Sequence, residues 1–86
     1  MSQFTVVWTQ DAQDQLADLW IDAPRPRRKI ITAAVARIDA QLAKEPRRAA
    51  QRIREGLCSL EEEGLAVFFS ISDDDRLVEV ARIRNA

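Results

Sequence analysis

Histidine and tyrosine do not occur among the 86 residues, glycine occurs only twice and cysteine once. Without histidine or tyrosine the chain lacks the usual general base near neutral pH and the phenol acid. With two isolated glycines it has neither a glycine-rich phosphate cradle nor a P-loop. The single cysteine, Cys58, excludes an internal disulfide, and with no histidine beside it a zinc site of ordinary N/S ligation cannot be assembled. No cofactor or metal is therefore expected, and a reducing cytoplasm is the expected setting. Long apolar runs are missing too. The longest, Leu65 to Phe69, falls far short of the ~20 residues a membrane-spanning helix needs, and "MSQFTVVWTQDAQDQ" has no basic region followed by an apolar stretch, so neither a membrane span nor a secretion signal is expected.

What is present is 47% apolar and 31% charged residues, the composition of a soluble globular chain. A chain this short encloses one core, so residues 1–86 are read as a single domain. The net charge of -1 conceals a segregation. Residues 22–54 hold ten Lys/Arg against three Asp/Glu, whereas residues 55–79 hold eight acids against Arg76 alone. Such an arrangement can set a basic face against an acidic one and steer partners, or it can be no more than solvated surface.

The apolar spacing gives the order of elements. "FTVVW", Phe4 to Trp8, is β-branched and aromatic and reads as a short buried strand. Thr9 can cap a helix running from about Gln10 to Asp22, with Ala12, Leu16, Leu19 and Trp20 at helical spacing. "APRPRRK" interrupts the pattern at Pro24 and Pro26. A second, longer helix is expected from Arg27, carrying Ile31, Ala34, Val35, Ile38 and Leu42 and ended by Pro46. So short a connection implies an antiparallel helical hairpin. Arg52–Leu60, Leu65–Ser72 and Leu77–Arg84 then read as three strands joined by tight turns at "EEEG" and "SDDDR", with Gly56 as a bulge inside the first. "LAVFFSI" is apolar on both alternations, as a central strand should be. The fold class expected is α+β: a two-layer β-α-α-β-β-β sandwich with the helical hairpin on one face of a four-stranded, mainly antiparallel sheet. Val6, Leu16, Leu19, Ile31, Ile38, Val67, Phe69 and Val80 form the expected core.

The residues that carry chemistry are mostly arginines, eleven against two lysines. Arg52 and Arg54 share parity on one expected strand, and Arg82 and Arg84 share it on the last, so each pair should face one side and together they can form a phosphate-binding surface. The bland alternative is that they keep the sheet margin soluble. Cys58 reads as a small apolar residue on a strand, and as a nucleophile only if arginines such as Arg52 or Arg54 lie close. The acidic runs 61–63 and 73–75 suit solvated turn tips better than a cation site. Trp8 and Trp20 lie on apolar stripes, which favours core packing, or for Trp20 a partner contact, over base stacking.

Taken together, "FTVVWTQDAQDQLADLW", "AVARIDAQLAKEP" and "GLAVFFSISDDDRLVEVARI", in the order strand, helix, helix, strands, resemble the RelE/ParE family of type II toxins over nearly the whole chain. The resemblance implies a compact bacterial toxin of the kind associated with plasmid stabilisation, neutralised by a cognate antitoxin whose C-terminal segment wraps around it. It also implies either cleavage of messenger RNA on the ribosome or poisoning of DNA gyrase. Leu16, Trp20, Arg27, Arg28 and Arg37, on the helices, are the expected antitoxin contacts. Arg52, Arg54, Arg82 and Arg84 are the expected target or phosphate contacts, and Arg52, Arg54 and Arg82 the only catalytic candidates. Departures from the ribonuclease branch are visible: Cys58 stands where an arginine is usual, and "RIRNA" supplies no tyrosine or histidine. Arginine transfers protons poorly near neutral pH. The expectation is therefore a gyrase-directed or degenerate toxin that is not an efficient enzyme, with a weak, metal-independent endoribonuclease as the alternative. A homodimer or a toxin–antitoxin hetero-oligomer is compatible with either.

Overall fold

The computed structural model describes residues 3–86. The elements are β1 (Thr5–Trp8), α1 (Gln10–Asp22), α2 (Arg25–Lys44), β2 (Gln51–Arg54), β3 (Leu57–Glu62), β4 (Leu65–Ser72) and β5 (Leu77–Asn85). One sheet holds all the strands in the order β1-β5-β4-β3-β2. β1 runs parallel to β5 and every other pairing is antiparallel. The two helices and the sheet form the expected α+β sandwich. The sheet has five strands and not four because Arg52–Leu60 is a hairpin, turned at Glu55 and Gly56, and not a single strand. Gly56 sits in that turn at φ +80°, where an L side chain would be strained, so it is a turn residue and not a bulge.

Local chemistry sets the helix ends. The Thr9 hydroxyl accepts the Ala12 N–H at 3.1 Å, capping α1, and Asp11 lies in its first turn. At the other end Arg28 donates to the carbonyls of Trp20 and Ile21, both at 2.9 Å, the first of which also accepts the Ala23 N–H at 3.3 Å, so the helix's last acceptors are answered by a side chain as well as by the backbone. α2 begins two residues earlier than the spacing predicts. Pro26 falls in its first turn, where the missing N–H has no partner to lose, so it opens the helix and does not delay it.

β1 is an edge strand with Val6 and Trp8 turned inward and Thr5 and Val7 outward, and is only half-buried. Its pairing ends at Trp8 opposite Val80. From there Thr9 donates its N–H to the Val80 carbonyl at 2.9 Å, and Gln15 of α1 accepts the Ile83 N–H at 2.9 Å. Helix α1 thus takes over the flank of β5 where β1 stops. From α2, Ile31, Ala34, Ile38 and Leu42 are buried against the inner face of the sheet, which contributes Leu60, Leu65, Val67, Phe69, Val78, Val80 and Ile83. Of the expected core, Val6, Leu16 and Leu19 lie at its margin, partly buried, and the other five are at most 2% exposed.

Two irregularities decide which way the arginines point. In β4 and β5, Phe69 pairs with Val80 but Phe68 pairs with Arg82, leaving Ala81 unmatched. This bulge shifts the alternation by one, so that Ile83 rejoins the core face after Val78 and Val80, and Arg82 and Arg84 turn to the open face. In β2, Arg52 pairs with Cys58 and Arg54 with Leu57, leaving Ile53 unmatched. Because Cys58 lies opposite core-facing Phe69, Arg52 belongs to the helix side and Arg54 to the open side. The expectation that Arg52 and Arg54 share a face is therefore wrong, since equal parity holds only in an unbroken ladder.

Among the described residues Phe69 is the largest side chain that is fully enclosed. Phe69→Ala is expected to lower stability by about 3–5 kcal/mol, measured by denaturant titration. A loss below about 1 kcal/mol would contradict its central placement.

Candidate functional site: an apolar groove and an arginine surface

α1 is held to the flank of β5 and α2 to the face of the sheet, and the two leave a groove between them of about 790 Å³. Leu16, Trp20, Ile21, Ile31 and Val35 line it, and Trp8 closes one end. The polar atoms of both indoles are already satisfied: Trp8 Nε1 donates to Asp39 Oδ1 at 2.8 Å and Trp20 Nε1 to Thr32 Oγ1 at 3.3 Å. What faces solvent is therefore ring and aliphatic surface. Trp20 is 42% exposed and Ile21 61%, large values for residues of this size outside a contact. The Arg28 guanidinium stacks on the Trp20 ring at 4.6 Å and places positive charge beside the groove.

Of the residues expected to meet an antitoxin, the fold brings Leu16, Trp20 and Arg28 together here. Arg27 and Arg37 lie elsewhere and are already engaged. Arg27 donates to the Glu63 carbonyl at 2.7 Å, and Arg37 pairs with Glu62 at 3.0 Å and more loosely with Glu63 at 3.8 Å. Gly64 completes this turn, and a Cβ there would come within 3.1 Å of the Arg27 guanidinium. Sequence reasoning missed Ile21 and Val35 as groove residues. The signal was a surplus of apolar side chains on both helices beyond one core-facing stripe each.

The acidic tips are used in a similar way. Arg47, just beyond α2, forms a two-pronged pair with Asp73 at 3.0 and 2.7 Å across to the turn between β4 and β5. These pairings fold part of the acidic segment onto the basic one, so the charge blocks of the sequence are partly neutralised in space. Among the described residues no three His, Cys, Asp or Glu side chains converge as a bound cation would require.

Arg54, Arg82 and Arg84 gather on the open face around Leu57 and Phe68, lining a depression of about 330 Å³. Arg84 lies over the Phe68 ring at 5.0 Å. Among the described residues neither these three arginines nor Arg52 has a carboxylate within ion-pairing distance. Guanidinium groups without carboxylate partners beside a half-buried ring can hold phosphate and stack a base on its accessible face. Phe68 was not singled out from the sequence, although two adjacent phenylalanines in a strand require one to face away from the core. Arg52 lies on the other side of the sheet edge, beside Cys58 and Arg47.

No protein-family model matches the sequence, and no curated protein matches it. Solved structures do. A chain of the toxin–antitoxin complex RelBE2 from Mycobacterium tuberculosis superposes with a TM-score of 0.80 at 26% identity, covering 100% of this chain and 94% of that one. A chain of the chromosomal ParDE toxin–antitoxin system from P. aeruginosa gives 0.74 at 18% identity, with 96% of each chain covered. The intact RelBE toxin–antitoxin complex of E. coli gives 0.56 at 14%, with the same coverage. The fold is that of the RelE/ParE-family toxins.

The Arg47–Asp73 pair gives a pH-dependent reporter of the fold. The hydrogen bonds from Arg47, followed by its charge, hold the Asp73 carboxyl below the usual aspartate range. A depressed carboxyl stabilises the folded state above its unfolded pKa and loses that contribution as pH falls through the folded value. Arg47→Ala is expected to move the Asp73 midpoint, read by carboxyl-carbon NMR titration, upward to the ordinary range. An unmoved midpoint would show that the pair does not persist in solution.

Proposed function

We propose that the chain is the toxin component of a type II toxin–antitoxin pair and that a cognate antitoxin neutralises it by laying an amphipathic segment in the groove between α1 and α2. The observation that carries this reading is the exposed apolar groove itself, with Trp20, Ile21 and Leu16 on its walls and Arg28 at its side, on a fold shared with chains of toxin–antitoxin complexes. An apolar helical groove takes anchors at helical spacing, and a flanking guanidinium favours a partner with carboxylates beside those anchors. A cytoplasmic bacterial protein, active when its antitoxin is lost, follows from this reading. No described helix is long and apolar enough to cross a membrane.

The cellular action proposed is ParE-like poisoning of DNA gyrase, or a toxicity that has degenerated. What supports it is the composition of the open face: three arginines and a phenylalanine, in a chain with no histidine or tyrosine to move a proton. A RelE-like endoribonuclease of low efficiency is the second reading. It is favoured by the same three arginines around Phe68, which can bind RNA and stabilise charge developing in a transition state.

Expression in a bacterial host with and without the partner encoded by an adjacent reading frame tests both. Growth arrest relieved by the partner is expected, with DNA damage in place of message decay. Normal growth with folded protein would sink the toxic readings. In vitro, Trp20→Asp is expected to weaken the partner complex by about 2 kcal/mol or more, as burying a carboxylate in an apolar contact requires. Purified protein is expected to show little RNA cleavage, and robust metal-independent cleavage abolished by Arg82→Ala would establish the ribonuclease.

A further inference from the structure

The bulge at Ile53 turns Arg52 to the helix side, while Arg54, at the sheet edge, reaches both surfaces. Arg54 lines the depression on the open face. On the helix side Arg52, Arg54 and Arg47 line a second cleft of about 470 Å³, floored by Ala50, Ile71 and Cys58. Among the described residues only Arg54 is common to the two. Gly56 also lines the second cleft, which is open on that side: a Cβ there would meet nothing within 4 Å. One wall is braced, because both oxygens of Asp73 hold the Arg47 guanidinium. That carboxylate also offsets the charge of Arg47, so the pull on an anion falls to Arg52 and Arg54, which have no ion-pair partner among the described residues.

Two guanidinium groups over a small apolar floor suit a particular chemistry. The charges match a phosphate, whose oxygens accept paired N–H donors, while Ala50, Ile71 and the Cys58 side chain offer contact to an uncharged organic portion. The volume is within the ordinary range for small-molecule sites and too small for a folded partner. We propose that this cleft binds a small organic phosphate of mononucleotide size and that, through Arg54, its occupancy weakens polyanion binding on the open face. One guanidinium cannot give its full set of donors to two anions on opposite sides of the strand, and the resulting antagonism is reciprocal. The site itself stands apart from the function proposed above; only the antagonism rests on the open face binding a polyanion.

Cys58 is the sole cysteine of the chain and lies in the cleft, so it can report occupancy. Adenosine monophosphate is the probe, with adenosine as the uncharged control. Its binding is followed by calorimetry and by protection of Cys58 from N-ethylmaleimide. Saturable heat and protection are expected from the monophosphate but not from adenosine. Arg52→Gln should weaken binding about fivefold or more, the loss of one charge-assisted contact at a partly solvated rim, and Arg82→Gln should leave it unchanged. Neither heat nor protection would overturn the site, and binding insensitive to Arg52→Gln would overturn its placement. In the second arm a short single-stranded RNA is titrated with and without the monophosphate. Weaker RNA binding in its presence, restored by Arg52→Gln, is expected. Simultaneous binding without mutual effect would overturn the role of Arg54. RNA that fails to bind at all would refute both the antagonism and the open-face reading, while the calorimetric arm still decides the cleft.

Discussion

The parallel pairing of β1 with the first half of β5 determines where everything else can lie. Four residues of β1 cover Leu77–Val80 and no more. The remaining half of β5 would present unpaired backbone groups on that flank, and α1 supplies partners for it: Thr9 through its own N–H and Gln15 through its amide oxygen. Thr9 thereby has two duties, ending a ladder and capping a helix, within one residue. Once α1 is fixed along the flank, α2 has to return over the face of the sheet to bury Ile31, Ala34, Ile38 and Leu42. The helices are anchored to different parts of the sheet, and the groove between them is the remainder of that geometry.

The bulges sort charge in the way the helices sort apolar surface. Were Ala81 paired in a regular ladder, Arg82 and Arg84 would continue the parity of Val78 and Val80 into the core, where unpaired guanidinium groups are prohibitively costly. The shift turns them outward to join Arg54. A similar shift at Ile53 places Arg52 on the other side and leaves β2 short, exposed and irregular. Such an edge, flanked by arginines, is a poor template for association with another sheet. The same irregularities that gather arginines on the open face therefore also guard the sheet against aggregation.

Much of this was legible in the sequence because it depends on local signals. The spacing from Ala12 to Trp20, the cap at Thr9 and the apolar density of "LAVFFSI" gave α1 to the residue and the central strand correctly. The hairpin at Glu55 and Gly56 was misread because a lone glycine between two short apolar segments signals a bulge as well as a turn, and only pairing partners distinguish them. The site was less legible. Leu16 and Trp20 could be chosen from helical periodicity, but the engagement of Arg27 and Arg37 depends on a turn that lies some 25 to 36 residues away in sequence. Parity placed Arg82 and Arg84 on a common face and misplaced Arg52 relative to Arg54, since one irregular residue reverses every side chain beyond it.

Joining the first strand to the last also shapes how the molecule comes into being. Thr9 and Ala81, in contact across this junction, are 72 residues apart. Closing so long a loop costs chain entropy before any return, and folds dominated by distant pairings assemble slowly. On a translating ribosome neither the flank of α1 nor the arginine face can be completed until β5 has left the exit tunnel. The nascent chain can form local helix and the hairpins of β2 to β4, but its groove and its open face must arise together, in a late step. Both surfaces are thus complete only after β5 has been made.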